Sequence, residues 1–244
     1  MKRLLKCMAG MFSLCIGLGL VVSSIEKARG KKGWVDGHRA GFYERNVKRA
    51  LDFGLSLFAL IVLWPVMAAT GLLVRINMGS PVFFKQERPG LGGRIFTIRK
   101  FRTMTDQRDE NGELLPDDQR LPRFGELMRK TSIDELPELY NIIKGDMSIV
   151  GPRPLLIRYL LRYDERQKHR HDVRSGLTGL AQVSGRNLIT WEDKLDDDVK
   201  YAENISFIGD VKIFLKTIAA IFRHDEVSID VSEFMGIEAA KEQT

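Results

Sequence analysis

The sequence predicts an α+β, mostly helical protein that associates with a membrane, and three observations lead to this fold class. Two long apolar stretches lie in the N-terminal third of the chain, at residues 7–24 and 51–74. Two short extended segments joined by a glycine-rich turn follow them. The rest of the chain contains short helix candidates and no internal repeat. A chain of 244 residues, 44% hydrophobic and 29% charged, can form one domain with a substantial core in addition to membrane segments.

The first apolar stretch lies between two groups of basic residues: Lys2, Arg3 and Lys6 before it, and Lys27, Arg29, Lys31 and Lys32 after it. Such a segment is typical of a membrane anchor or of a signal peptide. The residues at 22–25 match a small-x-small cleavage site poorly, which favours an uncleaved membrane element. We therefore assign residues 1–42 to an apolar and basic N-terminal extension, a candidate membrane anchor.

The second apolar stretch is long enough to span a bilayer, and Pro65 lies in its middle. Proline inside a helix removes a backbone donor and bends or breaks the helix. The cations at both ends, Lys48 and Arg49 before the stretch and Arg75 after it, would each prefer the cytoplasmic side. A helix bent at Pro65 that enters and leaves by the same leaflet satisfies both conditions. An ordinary kinked spanning helix is the alternative, and it is the commoner outcome on sequence physics alone.

The segments after residue 78 read as a small α+β unit. Residues 81–86 and 94–104 are predicted to be extended, and residues 89–93 form the turn between them. Residues 106–122 are predicted to be an exposed loop. Helices are predicted at residues 123–130, 136–143, 155–168 and 210–222. The last of these interleaves apolar and basic residues at helical spacing, so it would either pack on the core or lie amphipathically in the membrane interface.

The strongest chemical signal is the adjacent pair Asp134 and Glu135. Adjacent carboxylates shift each other's protonation, and such pairs often bind metal or divide the roles of nucleophile and base. The alternative is structural, because Thr131 and Ser132 precede the two acids at the spacing of a capping box. Arg153 follows, held between two prolines, and we expect it to fork onto a phosphate rather than to close a structural ion pair.

Further candidate ligand contacts lie on either side of this pair. Lys100 and Arg102 form a cationic segment that could contact a diphosphate, although a solvated basic edge is the usual outcome. Residues 174–187 are rich in glycine and small polar residues, which allows a ligand to approach the backbone closely. The candidate binding residues in this second segment are Thr178, Gln182, Arg186 and Asn187.

The net charge of +6 suits nucleic acid, an anionic membrane surface or phosphorylated ligands as partners. No zinc-finger spacing, basic zipper or aromatic RNA-binding signature is present, so nucleic acid is not expected. The apolar segments with basic flanks favour the membrane.

The order of these motifs resembles the bacterial sugar transferase family, the monotopic phosphoglycosyl transferases, over about residues 43–222. The motifs that carry the resemblance are Lys-Phe-Arg-Thr-Met, Asp-Glu-Leu-Pro, Lys-Gly-Asp-Met-Ser-Ile-Val-Gly-Pro-Arg-Pro and Gly-Leu-Thr-Gly-Leu-Ala-Gln-Val-Ser-Gly-Arg-Asn. The chain departs from the family at Trp64, where many members have serine or a second proline, and at Ser175, where proline is typical. Residues 1–42 match nothing in the pattern of the small members.

The resemblance implies transfer of a sugar-1-phosphate from a UDP-sugar to polyprenyl (undecaprenyl) phosphate with release of UMP, the step that initiates surface glycan assembly. Asp134 would be the nucleophile that forms a covalent phospho-sugar aspartyl intermediate. Glu135 would assist as a Mg²⁺ ligand or as a base, and Asp134 and Glu135 together would hold the metal. Lys100, Arg102 and Arg153 would steady the phosphates.

The resemblance also implies a domain plan and a location. Residues 43–78 would form the re-entrant membrane helix, residues 79–226 the catalytic domain and residues 227–244 a C-terminal tail. The protein would contact inner-membrane lipids, with its catalytic domain facing the bacterial cytoplasm, and downstream glycosyltransferases are further candidate partners. Two alternatives remain open at this point: a membrane-bound metal-dependent nucleotide-sugar phosphodiesterase, and a non-enzymatic membrane assembly partner.

Overall fold

The structure is a computed structural model that describes residues 2–184 and 190–222. Two long helices come first: α1 at Lys2–Ala28 and α2 at Arg49–Met78, the latter preceded by a π-helical turn at Glu44–Lys48. Both are long and apolar enough to cross a membrane by length and composition. The chain is helical on both sides of Pro65. Helices α1 and α2 contain the two apolar stretches of the sequence, residues 7–24 and 51–74.

The catalytic-domain candidate contains two separate two-stranded sheets. Strands β1 (Phe83–Pro89) and β2 (Ile95–Phe101) form an antiparallel hairpin around a 3₁₀ turn at Leu91–Gly93. Strands β3 (Met147–Val150) and β4 (Ser175–Thr178) pair in parallel. The hairpin is confirmed where it was predicted, whereas the parallel pair was not predicted.

Six short helices complete the described fold. They are α3 (Asp117–Arg120), α4 (Arg123–Lys130), α5 (Glu138–Lys144), α6 (Leu180–Ser184), α7 (Trp191–Glu203) and α8 (Phe207–Phe222). The predicted helices at 123–130, 136–143 and 210–222 are confirmed, with shifts of a few residues at their ends. Helix α3 lies inside the predicted loop at 106–122, and α7 was not predicted. The α+β, mostly helical class is therefore confirmed.

The predicted helix at residues 155–168 is wrong. The structure has two 3₁₀ segments there, Ile157–Leu161 and Gln167–His171. Asp164 and Gln167 explain the break, because each side chain accepts a hydrogen bond from the other residue's backbone N–H, at 2.7 and 3.1 Å. This reciprocal cap starts a new turn at the position where a continuous helix would have run on.

Helix α2 packs on the catalytic-domain candidate through both of its halves. Val74 and Met78 lie in one buried cluster with Phe101 and Met128. In the first half of α2, Ala59 packs against a second cluster formed by Ile98, Leu139, Ile142 and Met147. These two clusters hold β2 and the elements that follow it against the membrane-helix candidate.

Gly176 and Gly179, in the segment at 174–187, allow close packing within the fold, and Gly185 lies outside the described residues. A Cβ on Gly176 would lie 2.1 Å from the backbone nitrogen of Gly151, and a Cβ on Gly179 would lie 2.2 Å from the Gly151 carbonyl oxygen. The close approach that the structure shows here is that of the Gly151 backbone, and the expected approach of a ligand stays a prediction. Side chains at these positions would separate β4 from the chain that follows β3.

Candidate active site

The carboxylate pair lies in a short turn between two helices. Ser132 adopts the left-handed conformation (φ 55°) after α4, and residues Ile133–Glu135 then form a 3₁₀ turn that leads through Pro137 into α5. The Thr131 hydroxyl donates backwards to the Leu127 carbonyl of α4 at 2.8 Å, and the Ser132 side chain makes no capping bond. The capping-box interpretation is therefore wrong, and the two acids are not held as helix-start residues.

Glu135 is engaged by two cations. Its Oε1 accepts hydrogen bonds from Lys100 Nζ at 2.5 Å and from an Arg153 terminal nitrogen at 2.8 Å. Lys100 also lies 3.3 Å from the buried carboxylate of Glu138. Burial alone would raise the pKa of Glu135, but the charges of Arg153 and Lys100 outweigh it and hold the pKa below its usual range. Glu135 therefore stays ionised and orders both cations.

Asp134 has the opposite environment. It is 8% exposed, and no residue in the described part of the chain donates a hydrogen bond to its carboxylate. Burial, followed by the negative charge of Glu135, raises the pKa of Asp134 to about 6, against the opposing charges of Lys100, Arg129 and Arg153. Two adjacent carboxylates whose pKa values are moved apart are an arrangement that divides roles between them.

The expectation that Arg153 would stay out of ion pairs is wrong, because it donates to Glu135. A buried carboxylate needs a charged partner, and Arg153 lies within its reach. The Arg153 side chain nevertheless remains 42% exposed and lines the cleft next to Asp134. Its forked guanidinium therefore retains donors for a phosphate while it holds Glu135.

The other predicted contacts divide into engaged and available groups. Arg102 lines the cleft, but its nitrogens donate to the carbonyls of Met104 and Ser80 and to the carboxylate of Asp106, so it also closes the chain around the hairpin. Thr178 shares a 2.7 Å hydrogen bond with Thr217 of α8. Gln182 lines the same cleft with its Oε1 buried and without a partner. Arg186 and Asn187 lie outside the described residues.

Both cationic and apolar side chains line the cleft, which measures about 1590 Å³. The cations Lys100, Arg129 and Arg153 act electrostatically on Asp134. The apolar lining includes Phe83 and Phe84 from β1, and Phe214, Ile218 and Ile221 from α8, and polar side chains such as those of Lys85 and Asp198 line the cleft as well. A cleft of this size and composition suits a ligand that is anionic at one end and apolar at the other.

Arg88 is a site residue that the sequence analysis missed. It lines the cleft, its Nε is buried without a partner, and one terminal nitrogen donates to Gln86 at 2.7 Å. Burial and the nearby charge of Arg153 lower the pKa of Arg88 to about 10. The signal was present, since Arg88 stands before Pro89 as Arg153 stands before Pro154.

Magnesium suits part of this donor set. The described residues contain no group of three or more His, Cys, Asp or Glu side chains that could hold a metal ion. Mg²⁺ needs no such group, because it is usually bound through one or two carboxylates together with substrate phosphates and water. Asp134 fits this role, as its carboxylate has no partner among the residues described. Glu135 fits through Oε2, since both cations bind Oε1.

Comparison with known proteins gives consistent results. A family model described as bacterial sugar transferase matches residues 43–224. "Uncharacterized sugar transferase EpsL" of Bacillus subtilis is 53% identical over 175 residues, 72% of this chain and 87% of the relative. "Exopolysaccharide production protein ExoY" of Sinorhizobium fredii is 37% identical over 191 residues, 71% of this chain and 84% of the relative.

A longer relative carries an activity in its name. The "UDP-glucose:undecaprenyl-phosphate glucose-1-phosphate transferase" of Xanthomonas campestris pv. campestris is 38% identical over 188 residues, 72% of this chain. The match covers 39% of that relative, so this chain spans about two fifths of its length.

Proposed function

Because the chain belongs to the bacterial sugar transferase family, we propose that it transfers a sugar-1-phosphate from a UDP-sugar to undecaprenyl phosphate, releases UMP and so initiates assembly of a surface glycan. The activity in the name of the Xanthomonas relative supports both substrates. The observation that carries the proposal is the pair Asp134 and Glu135, with pKa values moved in opposite directions, in a cleft that both cations and apolar side chains line.

In the first step, a carboxylate oxygen of Asp134 attacks the sugar-linked phosphorus of the UDP-sugar. A bond forms between this oxygen and phosphorus, the diphosphate bridge breaks, and UMP leaves with the bonding electron pair. With a pKa of about 6, Asp134 is mostly ionised at neutral pH and is a more basic nucleophile than an ordinary aspartate. The lack of a hydrogen-bond donor leaves its lone pairs available.

In the second step, a phosphate oxygen of undecaprenyl phosphate attacks the same phosphorus. The acyl phosphate bond breaks, Asp134 is released as a carboxylate, and the sugar becomes joined to the lipid through a diphosphate. The apolar walls from β1 and α8 suit the polyprenyl chain, while its headgroup would reach the cations.

The cations neutralise charge rather than exchange protons. Phosphoryl transfer depends mainly on positioning and electrostatic stabilisation, and Lys100 and Arg153 are placed for this by Glu135. The same contacts argue against Glu135 as a base, because Arg153 and Lys100 hold its pKa below the usual range and a carboxylate that binds protons so weakly is a poor base. A Mg²⁺ ion bound by Asp134 and Glu135 would supply further charge neutralisation to the diphosphate.

We further propose that α2 re-enters the cytoplasmic leaflet of the inner membrane. Arg49 at one end of α2 donates to the Ile142 and Ile143 carbonyls, while Val74 and Met78 at the other end pack on the same catalytic unit. A straight helix of this length would rise ~45 Å, and if it crossed a ~30 Å hydrocarbon layer the unit that contacts both ends would lie within the lipid. Contacts at both ends therefore favour a helix that returns to its own side.

Intact-protein mass spectrometry tests the chemistry. The protein is incubated with a UDP-sugar and Mg²⁺ in the absence of lipid acceptor, and both the protein mass and UMP are measured. We expect a phospho-sugar adduct and about one equivalent of UMP per active site. Turnover with lipid but no adduct without it would favour direct attack by the lipid phosphate. Water-soluble sugar phosphate as the end product would indicate hydrolysis instead.

A further inference from the structure

Helix α1 lies outside the part of the chain that matches the family, which begins at residue 43. We propose that α1 crosses the bilayer completely, with lipid hydrocarbon on its exposed apolar surface and its N-terminal end on the face opposite the catalytic unit. The proposal rests on the proposed function in one respect only: the catalytic unit is taken to face the cytoplasm, so the opposite face is the side away from the cytoplasm.

Small residues hold α1 closely against the first half of α2. A Cβ on Gly19 would lie 2.2 Å from the Ala50 carbonyl oxygen, and one on Gly54 would lie 2.9 Å from the Cys15 carbonyl oxygen. Toward the N-terminal end of α1, the rings of Phe12 and Phe58 meet edge to face with centroids 5.2 Å apart. The pairing is antiparallel, and close approach through glycine is how helices associate in lipid.

An ion pair fixes which end of α1 lies at the catalytic unit. Arg49 donates from Nε and a terminal nitrogen to both carboxylate oxygens of Glu26, each at 2.9 Å. The same guanidinium donates to the carbonyls of Ile142 and Ile143. Removal of α1 as a leader peptide would leave the buried Arg49 without its carboxylate, so these contacts oppose the signal-peptide alternative.

The length of α1 then decides how far it reaches. From Glu26 to Arg3 the helix rises ~35 Å, which exceeds a hydrocarbon layer of ~30 Å. From Asp52 to Pro65 helix α2 rises only ~20 Å. Helix α1 packs on the first half of α2. Residues 3–7 of α1 are exposed, as expected if the N-terminal turns of α1 extend beyond this contact.

The surface of α1 fits lipid rather than the plane of the interface. An interfacial helix needs a charged face, and residues 7–25 contain no charged side chain. Exposed apolar side chains occur around the helix: Leu4, Leu5, Leu14, Leu18, Leu20, Val21 and Ile25. Basic residues flank the uncharged part of α1 on both sides and give no clear orientation, so the orientation of α1 rests on the ion pair between Glu26 and Arg49.

Cysteine accessibility in spheroplasts tests this topology. Arg3→Cys is made with Cys7→Ser, while Cys15 stays in place because it is buried against α2. The matched variant is Asp36→Cys, in the exposed segment after α1. We expect a membrane-impermeant maleimide to label Arg3→Cys in intact spheroplasts and Asp36→Cys only after permeabilisation. Labelling of both positions only after permeabilisation would overturn the proposal, as would a protein mass that lacks the first 24 or so residues.

A second pair of variants tests the docking that sets the orientation. Gly19→Leu places a side chain against the Ala50 backbone, whereas a Cβ on Gly17 meets nothing within 4 Å. We expect Gly19→Leu to lower the thermal unfolding midpoint and Gly17→Leu to leave it unchanged. Equal midpoints would mean that α1 does not dock as described. Neither measurement depends on turnover, so the topology and the proposed chemistry can fail separately.

Discussion

Two groups of buried acids in this protein differ in whether their oxygens have partners. At the start of α2, all four carboxylate oxygens of Asp52 and Asp210 accept hydrogen bonds, from Ser148, the Ile149 backbone, Lys48, Tyr43 and Tyr201. In the cleft, Asp134 receives none from the residues that the structure describes. The first group joins α2 to β3, α7 and α8, which is the work of structure.

This contrast indicates that Asp134 lowers the stability of the fold, as is expected of a residue kept for catalysis. A buried carboxylate without donors is held at a raised free energy, and a paired one is not. Arg88 and Gln182 each keep a buried polar atom without a partner and also line the cleft, whereas other such atoms in the described residues, as in Glu44 and His171, lie away from it. Unpartnered polar groups that converge on one cavity are expected where a polar ligand completes the site.

The largest expected effect is that of Asp134→Asn on catalysis. An amide is a poor nucleophile, so we expect the rate to fall by a factor on the order of 1000 or more and the phospho-sugar adduct to disappear. Stability should stay the same or rise, because the substitution removes a buried charge whose raised pKa marks it as destabilising at neutral pH. Rate and thermal midpoint are measured on the same preparation. A large loss of stability would mean that Asp134 belongs with the structural acids.

Lys48→Met, at the structural acids, should lower stability, in contrast to Asp134→Asn. Its ammonium lies 2.6 Å from Asp210 and both side chains are about one tenth exposed, so removing it leaves a buried carboxylate uncompensated. We expect a loss of roughly 3–5 kcal/mol in the free energy of unfolding, measured by denaturation in detergent.

The matched variant is Lys32→Met, because Lys32 forms an equally short ion pair with Asp36 whose side chains are 52% and 89% exposed. Exposed pairs contribute about 0–1 kcal/mol, so this variant should be nearly neutral. Similar losses in both variants would contradict the role given to burial.

Arg153→Lys tests whether the side chain at position 153 binds Glu135 and a substrate phosphate at the same time. Lysine can still pair with Glu135, so we expect normal folding, but it cannot fork onto a phosphate at the same time. Activity should fall by about 10- to 100-fold, as for the loss of one or two charge-assisted hydrogen bonds. Activity near that of the unsubstituted protein would show that Arg153 acts only through its ion pair with Glu135.

The sequence analysis found the acids and several helices but not the pairing that surrounds them. Both can be read from neighbouring residues: helix α4 begins directly after Pro122, and Asp134 and Glu135 are adjacent in the chain. The pairing of β3 with β4 joins residues 147 and 175, and no local period encodes it. The ion pair between Glu135 and Arg153 depends on that long-range packing too, which is why Arg153 was expected to be free.

Arg88→Gln should have a moderate effect on substrate binding. If a substrate phosphate accepts a hydrogen bond from the buried guanidinium, loss of the guanidinium should raise KM for the UDP-sugar about tenfold. This is the equivalent of one charge-assisted hydrogen bond. Stability should not fall, because burial and Arg153 already disfavour the charge. The matched variant is Arg94→Gln, on the exposed side of the same hairpin, which should leave KM unchanged. A KM that does not respond in Arg88→Gln would remove Arg88 from the substrate site.

The smallest expected effect is a shift in pH dependence. Only ionised Asp134 attacks, so the burst of UMP without lipid should rise with pH and level off above a midpoint near its pKa of about 6. Glu135→Gln should move this midpoint to lower pH, because it removes a negative charge that raises the pKa of Asp134 and frees Lys100 and Arg153 to lower it further. The matched variant Asp117→Asn removes a 70% exposed carboxylate of α3 and should leave the midpoint in place. The same midpoint in Glu135→Gln and in the unsubstituted protein would show that another group controls the burst.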